Sequence, residues 1–344
     1  MAVPLIGNLP TTLTYSSDDE SGFTRVRRGK GFSYHDEKGS RVVDAIHLER
    51  VKALGIPPAW KNVWIAQNPG GHLQCTGIDP KGRKQYIYHA DWNAYRSEAK
   101  FRKLAEFGRA LPGIRRTTKR HLKSIEWSRT KVLALVIQIL DTYHIRIGNE
   151  YYRQQNETYG LTTLRRKHVE FDQGVVRLEY KAKSGKYRKI SIRNNQLAKL
   201  VKQSSELRGY ELFKYQGKDK KFHHINSHDV NEYLRDISEE EFSCKDFRTW
   251  GGTTLAVEKH KAAQQMVVEN PRLKLETALV KLVAEELGNT TAICREYYIH
   301  PRVLEVILNE QMDQYRSRKL KNFSVEDSKL LSDSELTVLN IIGE

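Results

Sequence analysis

The feature that most constrains the fold is an abrupt change of hydrophobic period at Asp91. Before it the chain runs in short alternating stretches such as GFSYHDEKGSRV and VWIAQNPGGHLQCTGIDPKGRKQYIYH, divided at Asn68-Pro69-Gly70-Gly71 and Asp79-Pro80-Lys81-Gly82. Alternation bounded by Gly and Pro suits antiparallel strands, whose side chains point to opposite faces in turn. After it Trp92, Tyr95, Ala99 and Leu104 recur at helical spacing, with Asp91 placed to cap the helix. The 344 residues therefore read as an α+β protein of two domains. Residues 1–90 form a small, mainly antiparallel β domain, and residues 91–344 a larger, mainly α-helical domain with a small β-sheet of its own.

Within the second domain, Leu111-Pro112-Gly113 is expected to break the first helix, because proline removes an amide and collides with the preceding turn. The most apolar run, KVLALVIQILDTYHI, is expected to form a core helix ending beside Arg146. In GVVRLEYKAK, Val176, Leu178, Tyr180 and Ala182 face one way, and Arg177, Glu179, Lys181 and Lys183 the other. Ser184-Gly185 then turns the chain into YRKISI, leaving Lys183 beside a hairpin tip on the polar face. Helices follow, one capped near Ser227, one opening near Ser243 and carrying Arg248, and one from about Leu273 to Leu287 with Gly288 as its C-cap. Thr290 can cap a short helix that displays Tyr298, and Pro301 suits the first turn of the next. Beyond Met312 the tail has enough Leu, Val and Ile for one or two terminal helices.

Fifty-eight Lys and Arg stand against 42 Asp and Glu, a formal net charge of +16. The excess is spread through foldable sequence and is densest from Arg96 to Lys131, including Arg102, Lys103, Arg109, Arg115, Arg116 and Lys119. That distribution points to a surface contacting a polyanion, duplex DNA above all, not to a disordered basic arm. Cys75, Cys244 and Cys294 are scattered, with no CxxC or Cys/His ligand spacing, which fits a reducing compartment and no structural zinc. No run of about 18 apolar residues suggests a membrane partner, so a soluble, cytoplasmic, nucleoid-associated protein is expected. No GxxxxGK[ST] loop, HExxH or cluster of acidic residues occurs, so neither ATP, nor metal, nor another cofactor is called for.

The strings RIGNEYY, NETYGLTTLRRKH, KDFRTWGG and CREYYIHP, with IPPAWKNVW and GRKQYIYH upstream, occur in an order that resembles type IB DNA topoisomerases of the poxvirus and bacterial kind. The resemblance runs from about Ile56 to Pro301. It implies a clamp around duplex DNA, acting as a monomer. It also implies that Arg146, Lys183, Arg248, Asn289 and Tyr298 occupy the family's functional positions.

The chemistry of strand exchange needs these residue types. Attack on a phosphodiester builds charge on two non-bridging oxygens, for which two fork-shaped guanidiniums, Arg146 and Arg248, are a natural clamp. Tyr298 would be the nucleophile, since the residue before Ile-His-Pro matches the family position. A free phenol has a pKa of about 10, so the ionised form needs help from its surroundings. If the segment is helical, Tyr297 points about 100° away and is expected to pack. Lys183 would protonate the departing 5′ oxygen, with Lys181 and Lys186 as nearby rivals. Asn289 stands where many relatives have His, and can donate a hydrogen bond but not a proton. For DNA contact, Arg83 and Lys84 suit phosphates, Gln85 a base edge, and Tyr86 and Tyr88 the backbone, while Tyr152 matches a further contact position. Ile56 to Trp60 reads as structural packing.

Two other readings compete. A tyrosine recombinase shares the chemistry but normally carries HxxR at the second arginine, where Lys245 stands three residues before Arg248 here. A non-catalytic DNA-binding protein accounts for the charge but leaves the five matched residues unexplained.

Overall fold

The computed structural model describes residues 9–316, 318–320 and 323–343. The chain divides into two compact units between Arg102 and Lys103.

The first unit is built on a five-stranded antiparallel sheet in the order β2-β1-β3-β4-β5. Its strands are β1 (Gly22–Arg28), β2 (Gly31–His35), β3 (Lys61–Ala66), β4 (Leu73–Ile78) and β5 (Lys84–Tyr88), with α1 (Ala45–Ala53) between β2 and β3. Phe23, Val51, Val63, Ile65 and Cys75 form its core, and Ile56, Trp60 and Ile87 pack against it. Trp60 and Ile56 are thus packing residues. Gly77 leaves room for the Trp60 ring, since a Cβ there would meet it at 2.8 Å. Arg25 fixes the IPPAW turn by donating to the carbonyls of Ile56, Pro57 and Trp60.

The chain leaves the sheet through α2 (Ala90–Leu122). Asp91 lies in its first turn, one residue inside the start, and its amide bonds to His89 Nδ1 instead of being the cap itself. The expected break at Leu111-Pro112-Gly113 does not occur, and Pro112 sits inside one continuous helix. Phe107, Leu111 and Ile114 on either side of it are almost wholly buried, Phe107 edge-on to Phe242 and Phe247. A buried side chain of that size contributes roughly 1.5–3 kcal/mol, so three of them outweigh the roughly 3 kcal/mol that a mid-helix proline costs.

The second unit packs helices around α3 (Arg129–Tyr143), whose residues Val132 to Ile137 are all buried. After α4 (Glu150–Asn156) comes the three-stranded sheet β6-β7-β8, made of β6 (Val169–Asp172), β7 (Val175–Lys181) and β8 (Tyr187–Ile192). Val176, Leu178, Tyr180 and Ala182 are buried, as the alternation requires. Then follow α5 (Asn195–Glu206), the hairpin β9 (Lys214–Gln216) and β10 (Phe222–His224), and α6 (Ser227–Ser238), whose cap is Asn226. The long α7 (Cys244–Glu269) and α8 (Leu275–Leu287) are followed by α9 (Thr291–Tyr297), capped by Thr290, and α10 (Pro301–Leu308). The tail supplies α11 (Asp313–Arg316), α12 (Val325–Ser328) and α13 (Asp333–Ile342). Among the described residues, no helix is long and apolar enough to cross a membrane.

A buried ion network joins the tail to α7. Arg115 on α2 donates to both carboxylate oxygens of Asp141 on α3 and to both of Glu335 on α13. Glu335 also accepts from Trp250 Nε1 at 2.9 Å. Burial pushes the Glu335 carboxyl up, but Arg115 overrides it and holds the group below its ordinary value. A depressed folded pKa contributes stability that is present above the unfolded value and is lost as pH falls through the folded one. Glu335→Gln is therefore expected to lower unfolding stability at pH 7 by about 3 kcal/mol in denaturant melts. The gap to the unmodified protein should close as pH drops below the carboxylate range, and a gap independent of pH would show that charge is not what Glu335 supplies.

Candidate active site

Helix α8 ends at Leu287, with Gly288 at φ +64° closing it in the left-handed conformation that glycine adopts without strain. Its terminal carbonyls, which no further turn can satisfy, are taken by three arginines. Arg188 of β8 donates to Glu285 O and Glu286 O, Arg248 Nη2 of α7 to Leu287 O at 3.0 Å, and Arg146 Nη1 to Gly288 O at 3.5 Å. The negative end of the helix dipole thus faces three guanidiniums. Arg248 Nη1 also donates to the carbonyl of His144, the left-handed residue that ends α3.

Asn289 follows directly and is nearly buried. Its Oδ1 accepts from Arg146 Nη2 and, at 3.3 Å, from Arg248 Nη2, drawing the two guanidiniums onto one atom. Burial holds Arg146 below the ordinary arginine value, with Arg188 adding to the effect, and burial and then Arg146 do the same to Arg248. No carboxylate pairs with either among the described residues. Asn289 Nδ2 and Arg248 Nε are buried donors without an acceptor there. A buried donor left unmet costs about 1–3 kcal/mol, so the arrangement is complementary to an anion with several oxygens.

Tyr298 completes the cluster. Its ring lies with its centroid 5.2 Å from the Arg248 guanidinium carbon, and a hydrogen bond and charge interaction between them offset part of the downward shift on Arg248. Helix α9 ends at Tyr297, so Tyr298 stands just past the helix, at φ −129°, instead of on it. Tyr297 is 39% exposed, so the expectation that it packs is not met. The glycine pair after Arg248 makes the site possible. A Cβ on Gly252 would stand 2.5 Å from Tyr298 O and 2.9 Å from Tyr298 Cβ, and one on Gly251 would overlap the His144 ring. Thr253 Oγ1 lies 3.3 Å from Tyr298 O and accepts the His300 amide at 3.1 Å.

Arg146 is held through its backbone. Gly148 adopts φ +94° and presses against Gly160, so that the amides of Leu161 and Thr162 reach the carbonyls of Arg146 and Ile147 at 2.8 and 2.7 Å. The RIG and YGLTT strings are therefore two sides of one clasp. Lys183 occupies the turn between β7 and β8, where Ser184 and Gly185 both have positive φ, and its side chain is exposed. The hairpin lysine that reaches the cluster is Lys186, whose Nζ donates to Asn289 O at 3.3 Å. By residue type Lys186 reads as a solvated strand position, and it is exposed, with only its ammonium reaching the Asn289 carbonyl. Arg188 is a site residue that the sequence reading does not include. The signal was its register, since it shares a face with Ile190 and Ile192 and pairs across the strands with buried Tyr180.

In the first unit Lys84, Tyr86 and Tyr88 share a face of β5, the rings stacked at 6.1 Å and Lys84 over Tyr86. Arg83 and Gln85 are instead tied to Asp79, by a 2.6 Å ion pair and a 3.0 Å hydrogen bond, and Arg83 holds the Asp79 carboxyl down at about 2. Lys84 pairs with Asp18 at 2.6 Å. Tyr152, on α4, is 53% exposed. The basic stretch of α2 is less uniform than its sequence suggests: Arg115 is tied up, half-buried, in the ion network, and Arg102 and Arg116 pair with Glu98 and Asp327.

A family model described as the catalytic core of eukaryotic DNA topoisomerase I matches residues 89–323, and one described as the N-terminal domain of bacterial DNA topoisomerase IB matches residues 31–79. DNA topoisomerase 1B of Acanthamoeba polyphaga mimivirus is 31% identical over 295 residues, covering 84% of this chain and 88% of that protein. DNA topoisomerase 1B of vaccinia virus (strain Copenhagen) is 24% identical over 270 residues, covering 78% and 79%. A solved XerH site-specific recombinase in a post-cleavage complex is similar at a TM-score of 0.40 and 15% identity, over 59% of this chain and 51% of that one, a likeness too slight to bear on the fold. With a catalytic-core model spanning well over half of its residues and a relative at 31% identity along most of its length, the chain belongs to the type IB DNA topoisomerase family.

Proposed function

We propose that this protein relaxes supercoiled duplex DNA by transient cleavage of one strand, with Arg146, Lys183, Arg248, Asn289 and Tyr298 as the catalytic residues. The observation that carries the assignment of residues is the pair of buried guanidiniums converging on Asn289 Oδ1, beside Tyr298 and without a carboxylate partner. In this scheme Tyr298 gives its hydroxyl proton to solvent water and the phenolate oxygen attacks the phosphorus. The P–O5′ bond breaks, O5′ takes a proton from Lys183, and the 3′ phosphate remains on Tyr298. Arg146, Arg248 and Asn289 Nδ2 stabilise the charge on the non-bridging oxygens. The freed 5′ end rotates, and the same steps in reverse reseal the strand. Each exchange swaps one phosphodiester for another, so supercoil strain drives relaxation and no step draws on ATP or a metal ion.

The two units would close on DNA as a clamp formed by one copy of the chain. The Lys84, Tyr86 and Tyr88 face and Tyr152 would contact DNA, and Arg83 and Gln85 would do so after exchanging Asp79 for phosphate or base. The protein would act in the cytoplasm, at the nucleoid.

The direct test is relaxation of supercoiled plasmid in EDTA without ATP, with denaturant trapping of covalent complex. Tyr298→Phe should abolish both signals. Arg146→Ala and Arg248→Ala should each slow cleavage by roughly 10²–10³-fold while duplex binding is retained. Parallel loss of binding and cleavage would refute the assignment, and covalent trapping without relaxation would favour a recombinase.

Gly252→Ala tests the close approach of α7 to the nucleophile. Displacing a reacting group by about 1 Å can cost on the order of 100-fold in rate, so cleavage should fall by roughly 10- to 100-fold with little change in duplex affinity. Unchanged cleavage would mean that the Tyr298 segment tolerates the shift.

The roles of the two hairpin lysines can be separated with a substrate in which sulfur replaces the bridging 5′ oxygen, because a thiolate leaves without protonation. Lys183→Ala should slow cleavage of the oxygen substrate and spare the sulfur one. Lys186→Ala should slow both alike, and the reverse pattern would make Lys186 the acid.

A further inference from the structure

Taking the proposed function as given, we propose that Arg188 is a positioning residue for strand exchange, holding the β7–β8 hairpin, and with it Lys183, in register with the Arg146–Arg248–Asn289 cluster. The side chain of Lys183 is exposed and has no hydrogen-bond or ion-pair partner among the described residues, so the hairpin backbone alone sets its place. The hairpin moves as one piece. Its strands pair from Val176 and Ile192 to Lys181 and Tyr187, and the turn is closed by Ala182 N to Lys186 O at 2.7 Å and Gly185 N to Ala182 O at 3.0 Å. Whatever fixes β8 therefore fixes Lys183 across the turn.

Among the described residues, two side chains of the hairpin bond to residues 285–289. Lys186 sets one ammonium on Asn289 O at 3.3 Å, and its flexible stem fixes a distance but not a direction. Arg188 sets both arms of its fork on consecutive carbonyls, Nη1 on Glu285 O at 3.3 Å and Nη2 on Glu286 O at 2.8 Å, which fixes both. The guanidinium lies across Gly288, where a Cβ would stand 2.6 Å from Arg188 Nη1 and 2.8 Å from Arg188 Cδ. Glycine at this position thus admits Arg188 as well as the left-handed turn. From the other strand Tyr180, buried and paired with Arg188, accepts a hydrogen bond from it.

The end of α8 takes the three arginines in order. Glu286 O accepts from Arg188, Leu287 O from Arg248 and Gly288 O from Arg146, so the hairpin is fastened one residue away from the carbonyl that holds Arg248. The placement has an electrostatic cost. Burial holds Arg146 below the ordinary arginine value, burial and then Arg146 hold Arg248 there, and Arg188 lowers both further. A side-chain amide carries two donors and no charge, and would bond carbonyls without that repulsion. What arginine adds is a rigid fork, and a rigid fork is what a fixed register needs.

Single-turnover cleavage at saturating protein, with duplex affinity measured separately, tests this on the full chain carrying Arg188→Ala or Tyr180→Phe, the second of which removes only a hydroxyl. Arg188→Ala should slow cleavage of the oxygen substrate by roughly 10- to 100-fold, as a displacement of about 1 Å can, with duplex affinity unchanged. The substrate with sulfur at the bridging 5′ position needs no acid and should recover most of that loss. Tyr180→Phe should show the same pattern at smaller amplitude, and it decides the matter if Arg188→Ala lowers the melting temperature. Equal slowing of both substrates, or slowing of neither, would overturn the proposal. Hydrogen exchange gives a readout that does not depend on catalysis: amides in residues 176–192 and 285–290 should exchange faster in Arg188→Ala, and unchanged exchange would also overturn the proposal. Absence of cleavage by the unmodified protein would sink the topoisomerase reading and leave the exchange result to decide whether Arg188 holds the hairpin.

Discussion

Three guanidiniums gathered at the C-terminus of one helix are the arrangement on which the rest of the site depends. Placing Arg146 and Arg248 together in a dry environment is costly, since each makes the other harder to charge. A carboxylate between them would relieve the repulsion but would also fill the position that the proposed reaction gives to a phosphate. The fold uses carbonyl dipoles instead: Glu285, Glu286, Leu287 and Gly288 at the end of α8, His144 at the end of α3, and Asn289 Oδ1. Dipoles offset part of the charge and leave a net positive site with buried donors still unmet. That is the condition for holding an anion whose charge grows during reaction.

Helix α7 translates this electrostatic arrangement into geometry. Within six residues it presents Arg248 to the carbonyls, Trp250 to Glu335, Gly251 to His144, Gly252 to the Tyr298 backbone and Thr253 to His300. Because successive residues turn by about 100°, these contacts leave the helix in different directions and fix its rotation as well as its depth. Glu335 lies beyond the residues matched by the catalytic-core model, yet it belongs to this scaffold through Arg115 and Trp250. The tail, which the sequence showed only as enough apolar residues for a helix or two, thus buttresses the helix that carries Arg248.

Much of this was legible in the residues. The change of period at Asp91 separated a β-rich region from a helical one, and the apolar run from Lys131 to Ile145 marked a core helix. Gly288, Thr290 and Pro301 marked helix ends correctly because caps are local chemistry. The alternation of β7 located the hairpin and its turn. The errors share one cause. Local character misplaces Pro112 and Arg115, and each is decided by what stands opposite. Buried aromatic neighbours carry α2 through its proline, and two carboxylates distant in the chain draw in an arginine that looked like a surface charge.

By itself the sequence determined the periods, the caps, the charge excess and the order of motifs, because each depends on residues close together in the chain or on simple composition. Through the family resemblance it also singled out the tyrosine before Ile-His-Pro as the proposed nucleophile. Only the tertiary structure decided that Arg146, Arg248, Asn289 and Tyr298 meet, that α8 turns its carbonyl end toward them, and that Gly251 and Gly252 are small because other chain segments press against α7. Those contacts join residues far apart in the chain. Long-range contacts of that kind are set by how whole elements bury their faces, which no local pattern encodes.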